Sequence, residues 1–326
     1  MTYENLREQV KNINRSIKEK YSEIFSMENL EFRNLIVDKV GQISDLEKMK
    51  EDQLKSIGKL ITVDGSVNRS GGNYPHYIEL YRGLGLGTDN SRLIKNMVYT
   101  PIISQEKTQN EDKSKKLLAE IELETAREAV EKFKPQILMM DGGLVRYYIY
   151  GKEKLELLIS TARKNNTEVF GLIKDIKTDI ISKALKFSKD FYDREILFGR
   201  LKVGEGIFIK NTVNEKFKDY GFSSCFLRTS NYPGAVGIDL VDGTEEKLKK
   251  IADLVYTLTP KDSRGVPLLI DIVDKEVKIT DDILNKILES ELDRQYYERF
   301  FISERDKRNW KILWKFLELP VIQVYL

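Results

Sequence analysis

Cysteine and histidine are almost missing from this chain: among 326 residues there is one of each, Cys225 and His76. A lone cysteine excludes an internal disulfide framework and any Cys-based zinc cluster, and it fits a reducing compartment. A lone histidine excludes a multi-histidine metal site and a His-x-x-x-His zinc motif. No segment approaches the ~20 apolar residues that a membrane span needs. The amino-terminal MTYENLREQVKNINRSIKEK is too polar and charged for a signal peptide, so a soluble, cytoplasmic protein is expected. Internal repeats and low-complexity linkers are also lacking.

Neither sign of charge dominates. Fifty-four Lys and Arg stand against 52 Asp and Glu, a net charge of +2, and this balance does not itself identify nucleic acid as a partner. Charged residues nevertheless make up 33% beside 41% hydrophobic ones, a globular composition with a salt-bridged surface or a charged ligand. The length suits one large domain with appendages or two ordinary ones.

Patterning divides the chain into three. Residues 1–56 place Leu6, Val10, Ile13, Ile17 and Tyr21 at three- and four-residue steps, which predicts an amphipathic helical arm for packing or self-association. From residue 57 to 290, KLITVDGS, YIELYRGLGLG and LIKNMVYTPIIS read as successive strands, followed by a helix over about 112–134 and the strand QILMMDGG. EKLELLISTARKNN, TEVFGLIKD and DIISKALKFSKDFYD then alternate helix, strand and helix. SSCFLRTS and AVGIDLVD read as further strands, and PLLIDIVDKEVKITDDILNKILESEL as an apolar, strand-like run that becomes helical. The expected fold is α/β, one mixed sheet flanked by helices. Residues 291–326 form an aromatic and basic tail in which Trp310 and Trp314 would pack on the core or on a second subunit.

Two carboxylates share one context. ITVDGS and LMMDGG each carry an apolar run into Asp-Gly, at Asp64 and at Asp141. Asp-Gly is a common turn pair, since Asp bonds its own backbone two residues on. Two central strands ending side by side would instead hold both carboxylates together, where their repulsion calls for a cation; Mg²⁺ or Mn²⁺ prefer such oxygen ligands. The helix before Asp141 adds Glu120, Glu124 and Glu128 on one face, a row that is otherwise an ordinary solvated surface. Farther on, GVPLLIDIVDKE offers Asp271 and, three residues later, Asp274, and one of them could close the metal shell. Carboxylates without a cysteine favour metal-assisted phosphodiester hydrolysis.

In order, VDGS, the acidic helix before MDGG, FGLIKD and SRGVPLLID resemble the motifs of the NurA nuclease family, over roughly residues 57–290. The resemblance implies a ribonuclease H-like core, Mn²⁺ or Mg²⁺ held by acidic side chains, a homodimer, and DNA end processing in repair with a HerA-type hexameric translocase. By position, Asp64 corresponds to the first metal ligand, Asp141 to the second-strand ligand and Glu124 to the helical glutamate, with Glu120 and Glu128 as register alternatives. Where the late family motif commonly offers a histidine, this chain has Asp271, itself a competent hard-cation ligand. Lys174 matches a lysine after a central strand that would hold a phosphate, and Arg264 would contact the DNA backbone, unless each is a surface residue or a turn salt bridge. Two rival readings are an inactive adaptor that couples a translocase to another factor, and an ATPase of the actin or sugar-kinase type. RGLGLGTD lacks the third glycine of a dinucleotide loop, and the isolated His76 is more simply a loop residue.

Overall fold

The computed structural model describes residues 2–104 and 111–302. The chain opens with α1 (Thr2–Ser26) and α2 (Asn29–Lys39), adds strand β1 (Gly41–Asp45) and helix α3 (Glu51–Ile57), and then lays down β2 (Leu60–Gly71), β3 (Tyr77–Gly87) and β4 (Arg92–Tyr99). Helix α4 (Glu111–Phe133) leads to β5 (Ile137–Asp141), and α5 (Leu144–Lys164) leads to β6 (Glu168–Ile173). Two short helices, α6 (Ile180–Leu185) and α7 (Asp193–Leu197), precede β7 (Glu205–Ile209); α8 (Glu215–Tyr220) precedes β8 (Phe222–Arg228). After β9 (Val236–Val241) come α9 (Glu245–Leu258), α10 (Leu268–Val277), α11 (Asp281–Glu291) and α12 (Arg294–Phe300).

Among the described residues, nine strands join one mixed sheet in the order β1-β7-β8-β9-β6-β5-β2-β3-β4. The arrangement around β2 follows from its neighbours' chemistry. β5 reads Ile-Leu-Met-Met-Asp and is buried along its whole length, as a strand with parallel neighbours and helices on both faces must be. On one face α4 and α5 cover Ile61, Val63, Leu138 and Met140. On the other, α9 and α10 cover Met139, Phe170, Leu172 and Ile238. The expected mixed sheet flanked by helices is thus what the chain forms.

Three local expectations give way. β2 does not end at Asp64 but runs on to Gly71, because its antiparallel partner β3 stays in register with it from Ile61↔Gly87 to Gly71↔Tyr77. What ends beside Asp64 is the parallel neighbour β5, whose last residue is Asp141. The PLLIDIVDKE run is helical from Leu268 on, with Ile270, Val273 and Val277 buried at three- and four-residue steps, a periodicity that a strand would not satisfy. The segment 1–56 contains, besides helices, the edge strand β1, which pairs antiparallel with β7.

RGLGLG acquires a packing role. Gly65 and Gly83 lie opposite each other in the β2–β3 ladder, and together they form a notch in which α4 approaches the sheet. A Cβ at Gly65 would lie 2.5 Å from Cγ of Glu122, and one at Gly83 would overlap the Thr125 hydroxyl. Only glycine permits that approach. His76 stacks on Phe300, with ring centroids 6.1 Å apart. Trp310 and Trp314 lie outside the described residues.

Candidate metal centre

Strand alternation directs Asp64 and Asp141 to the same side of the sheet. Asp64 shares its parity with Ser66, whose hydroxyl donates to the Val277 carbonyl of α10, and Asp141 shares its parity with Met139 on that same face. Helix α10 crosses β2 there and brings Asp274. One carboxylate oxygen from each of Asp64, Asp141 and Asp274 lies within 4.8 Å of the others. Asp64 and Asp141 are buried, and Asp274 is half-buried.

Such crowding has an electrostatic cost. Burial, then the nearby Asp141 and Glu122, pushes the Asp64 carboxyl up to about 7. Burial also raises Asp141, against the pull of Lys174, whose ammonium donates a 2.6 Å hydrogen bond to Asp141 Oδ2. Asp274 moves the other way, held below the usual carboxylate range mainly by its bond from Lys278. The donor set, three clustered carboxylates without sulfur or imidazole, fits a hard divalent cation such as Mg²⁺ or Mn²⁺. Two neighbouring buried carboxylates also need the positive charge that such an ion carries.

Behind Gly65, on the α4 side of the sheet, sits Glu122. It is buried, pushed up to about 7 chiefly by desolvation, and ion-paired with Arg146 of α5. Arg146 also donates to the Tyr147 hydroxyl at 2.8 Å, and Tyr147 first, then Glu122 and Asp64, raise its pKa against the effect of burial.

The chain's other candidate residues are distributed as follows. Lys174 stands in the acidic cluster, on Asp141. Glu124 is ion-paired with Lys154, Glu128 with Lys95 at 2.7 Å and Glu120 with Lys116 at 3.8 Å, so this row of three is a solvated helix face. Glu122, two residues from Glu124 and about 200° around the helix, takes the inward position. Asp271 accepts from Arg264 Nε at 2.9 Å in an exposed pair, while Asp274, three residues farther along α10, reaches the carboxylates. Asp271 and Arg264 therefore satisfy each other outside the three-carboxylate cluster. A signal for both inward acids was present in the sequence. Glu122 interrupts the buried stripe of Ala119, Leu123, Ala126 and Val130, and Asp274 the stripe of Ile270, Val273 and Val277. An acid on an apolar stripe is the informative one, because burial there requires a partner.

Comparison with known proteins bears on the family and the fold. The family profile described as NurA domain matches residues 39–279. Among solved structures, the chain is similar to the NurA nuclease from Sulfolobus solfataricus, with 14% identity, 90% of this chain and 98% of that one covered, and a TM-score of 0.57. A weaker likeness, to the catalytic domain of human Endonuclease V, has 13% identity, coverage of 80% and 95%, and a TM-score of 0.41. No curated protein matches. Among the described residues no helix is long and apolar enough to cross a membrane.

Proposed function

The chain belongs to the NurA domain family of nucleases, and from that premise we propose that it hydrolyses DNA phosphodiester bonds with a divalent cation held by Asp64, Asp141 and Asp274. The observation that carries this reading is the convergence of those three carboxylates from β2, β5 and α10. An Mn²⁺ or Mg²⁺ ion bound there would supply positive charge to the scissile phosphate and make water more acidic.

The chain's own groups do the remaining work. Lys174 holds Asp141 in place and offers its other ammonium protons to a phosphate oxygen. Glu122, in the helical position that residue order alone would give to Glu124, is kept inward by Arg146, and its charge acts on Asp64 through the gap left by Gly65. Arg264 and Asp271 form a surface pair near the start of α10, and Arg264 contacts the DNA backbone from there. Family resemblance further supports a homodimer acting on DNA ends in company with a HerA-type hexameric translocase.

The test is cleavage of linear single- and double-stranded DNA with added Mn²⁺ or Mg²⁺, the parent chain against Asp64→Ala, Asp141→Ala and Asp274→Ala. Each variant is expected to lose at least about a hundredfold in rate, the scale on which a group that stabilises transition-state charge acts. Undiminished cleavage in any one of them removes that residue from the site. A parent chain that binds DNA yet cleaves neither substrate would be the adaptor instead.

A further inference from the structure

A cleft of about 840 Å³ that Lys174 lines opens between the end of α1, the end of β6, helix α7 and the loop joining β8 to β9. Lys174 belongs to both places: it lines the cleft, and its ammonium bonds to Asp141. The cleft's volume lies in the range of small-molecule sites, but its lining is not that of a closed pocket. Three of its aromatic rings are largely unburied, Phe25 at 76%, Phe198 at 56% and Tyr232 at 50% relative exposure.

Phe198 and Tyr232 are placed with some care. Their rings meet edge to face, 6.1 Å between centroids at 85°, while each keeps half or more of its surface exposed. A backbone hydrogen bond from Gly199 N to the Pro233 carbonyl, 2.9 Å, ties the two loops together beside them. The Tyr232 ring lies directly over Gly234, where any Cβ would overlap it. Arg194 lines the same cleft, and its pair with Asp175 leaves further guanidinium N–H groups for a second acceptor.

Resting on the nuclease reading, we propose that this cleft receives unpaired nucleotides of the substrate strand, their bases stacked on Phe198 and Tyr232, with the phosphates passing Arg194 and Lys174 toward the acidic cluster. Aromatic faces and interspersed cations are what a single strand uses, because an unstacked base has an exposed face to offer and a paired base does not. The continuity of the cleft with the carboxylates through Lys174 makes the strand that is held there the strand that is cut.

The test measures binding by the full chain, under chelation so that nothing is cleaved, of a single-stranded oligonucleotide carrying 2-aminopurine and of a blunt duplex of the same sequence. Phe198→Ala and Tyr232→Ala are expected to weaken single-strand binding by roughly five- to a hundredfold, to abolish the quenching of 2-aminopurine by stacking, and to change duplex binding less than about twofold. Phe198→Trp should restore single-strand binding. Both rings are half exposed, so the variants should melt with the parent, which a thermal scan checks. Unchanged single-strand binding, or equal losses on both DNAs, overturns the assignment. Cleavage by the parent is scored separately: a parent that does not cleave while the alanine variants lose single strands removes the nuclease reading and leaves the cleft, and a parent that cleaves while the variants bind normally does the reverse.

Discussion

Asp274 and Asp271 are separated by less than one helical turn, and their surroundings give them different work. Asp274 belongs to the three-carboxylate cluster, whereas Asp271 is occupied by the guanidinium of Arg264. Asp274→Asn is therefore expected to lower metal-dependent cleavage by about a hundredfold or more, and Asp271→Asn by no more than about threefold, since an exposed ion pair contributes little; parallel rate measurements decide it. Asp64 makes a prediction in pH. Its folded-state pKa, near 7, lies above the ordinary carboxyl value of 3.8 because of burial and Asp141. The folded chain therefore holds a proton between about pH 4 and 7 that the unfolded chain has released, and this contribution to stability is present below pH 4 and lost as pH rises through 7. In chelator, the melting temperature of the parent should fall between pH 5 and 8 more steeply than that of Asp64→Asn, which does not titrate; equal slopes would count against a raised Asp64 pKa.

At the scale of elements, the site depends on how closely α4 sits on the β2–β3 ladder. Gly65 and Gly83 provide the notch, and Glu122 and Thr125 occupy it. Gly65→Ala places a methyl group against the Glu122 side chain, which is fixed on its other side by Arg146. The expected cost is about 1–3 kcal/mol of stability, the usual scale of overpacking. Cleavage should fall as well, because the buried acid nearest Asp64 on the α4 side is displaced. Thermal denaturation and rate, taken together, check this, and a variant as stable and active as the parent would mean that α4 shifts without consequence.

The whole molecule carries the charge imbalance of the site as a stability term. Cations that bind the folded chain and not the unfolded one stabilise it by mass action. Millimolar Mn²⁺ acting on a site of about ten-micromolar affinity would add roughly 2.7 kcal/mol, a rise of about 5–10 °C in melting temperature for a chain in which 1 kcal/mol shifts it by ~2–4 °C. The rise should disappear in Asp141→Asn, and calorimetric scans with and without the ion measure it. A like rise in the variant would locate the binding elsewhere.

By itself the sequence determined the α/β layering, the two Asp-Gly strands and the position of Lys174, because each is written in local periodicity: apolar runs for strands with parallel neighbours, and acids or a lysine at their ends. It placed Asp64 where β2 seemed to stop, since Asp-Gly ordinarily signals a turn. Tertiary structure decided otherwise, because β3 remains hydrogen-bonded to β2 beyond that point while β5 does not. Which face of α4 turns inward and which of two aspartates on α10 meets the carboxylates depend on how each helix is rotated against the sheet. A rotation of one residue moves a side chain by about 100°. Glu124 and Asp271 stand close in sequence to Glu122 and Asp274, yet packing sends the first pair to Lys154 and Arg264 and turns the second inward.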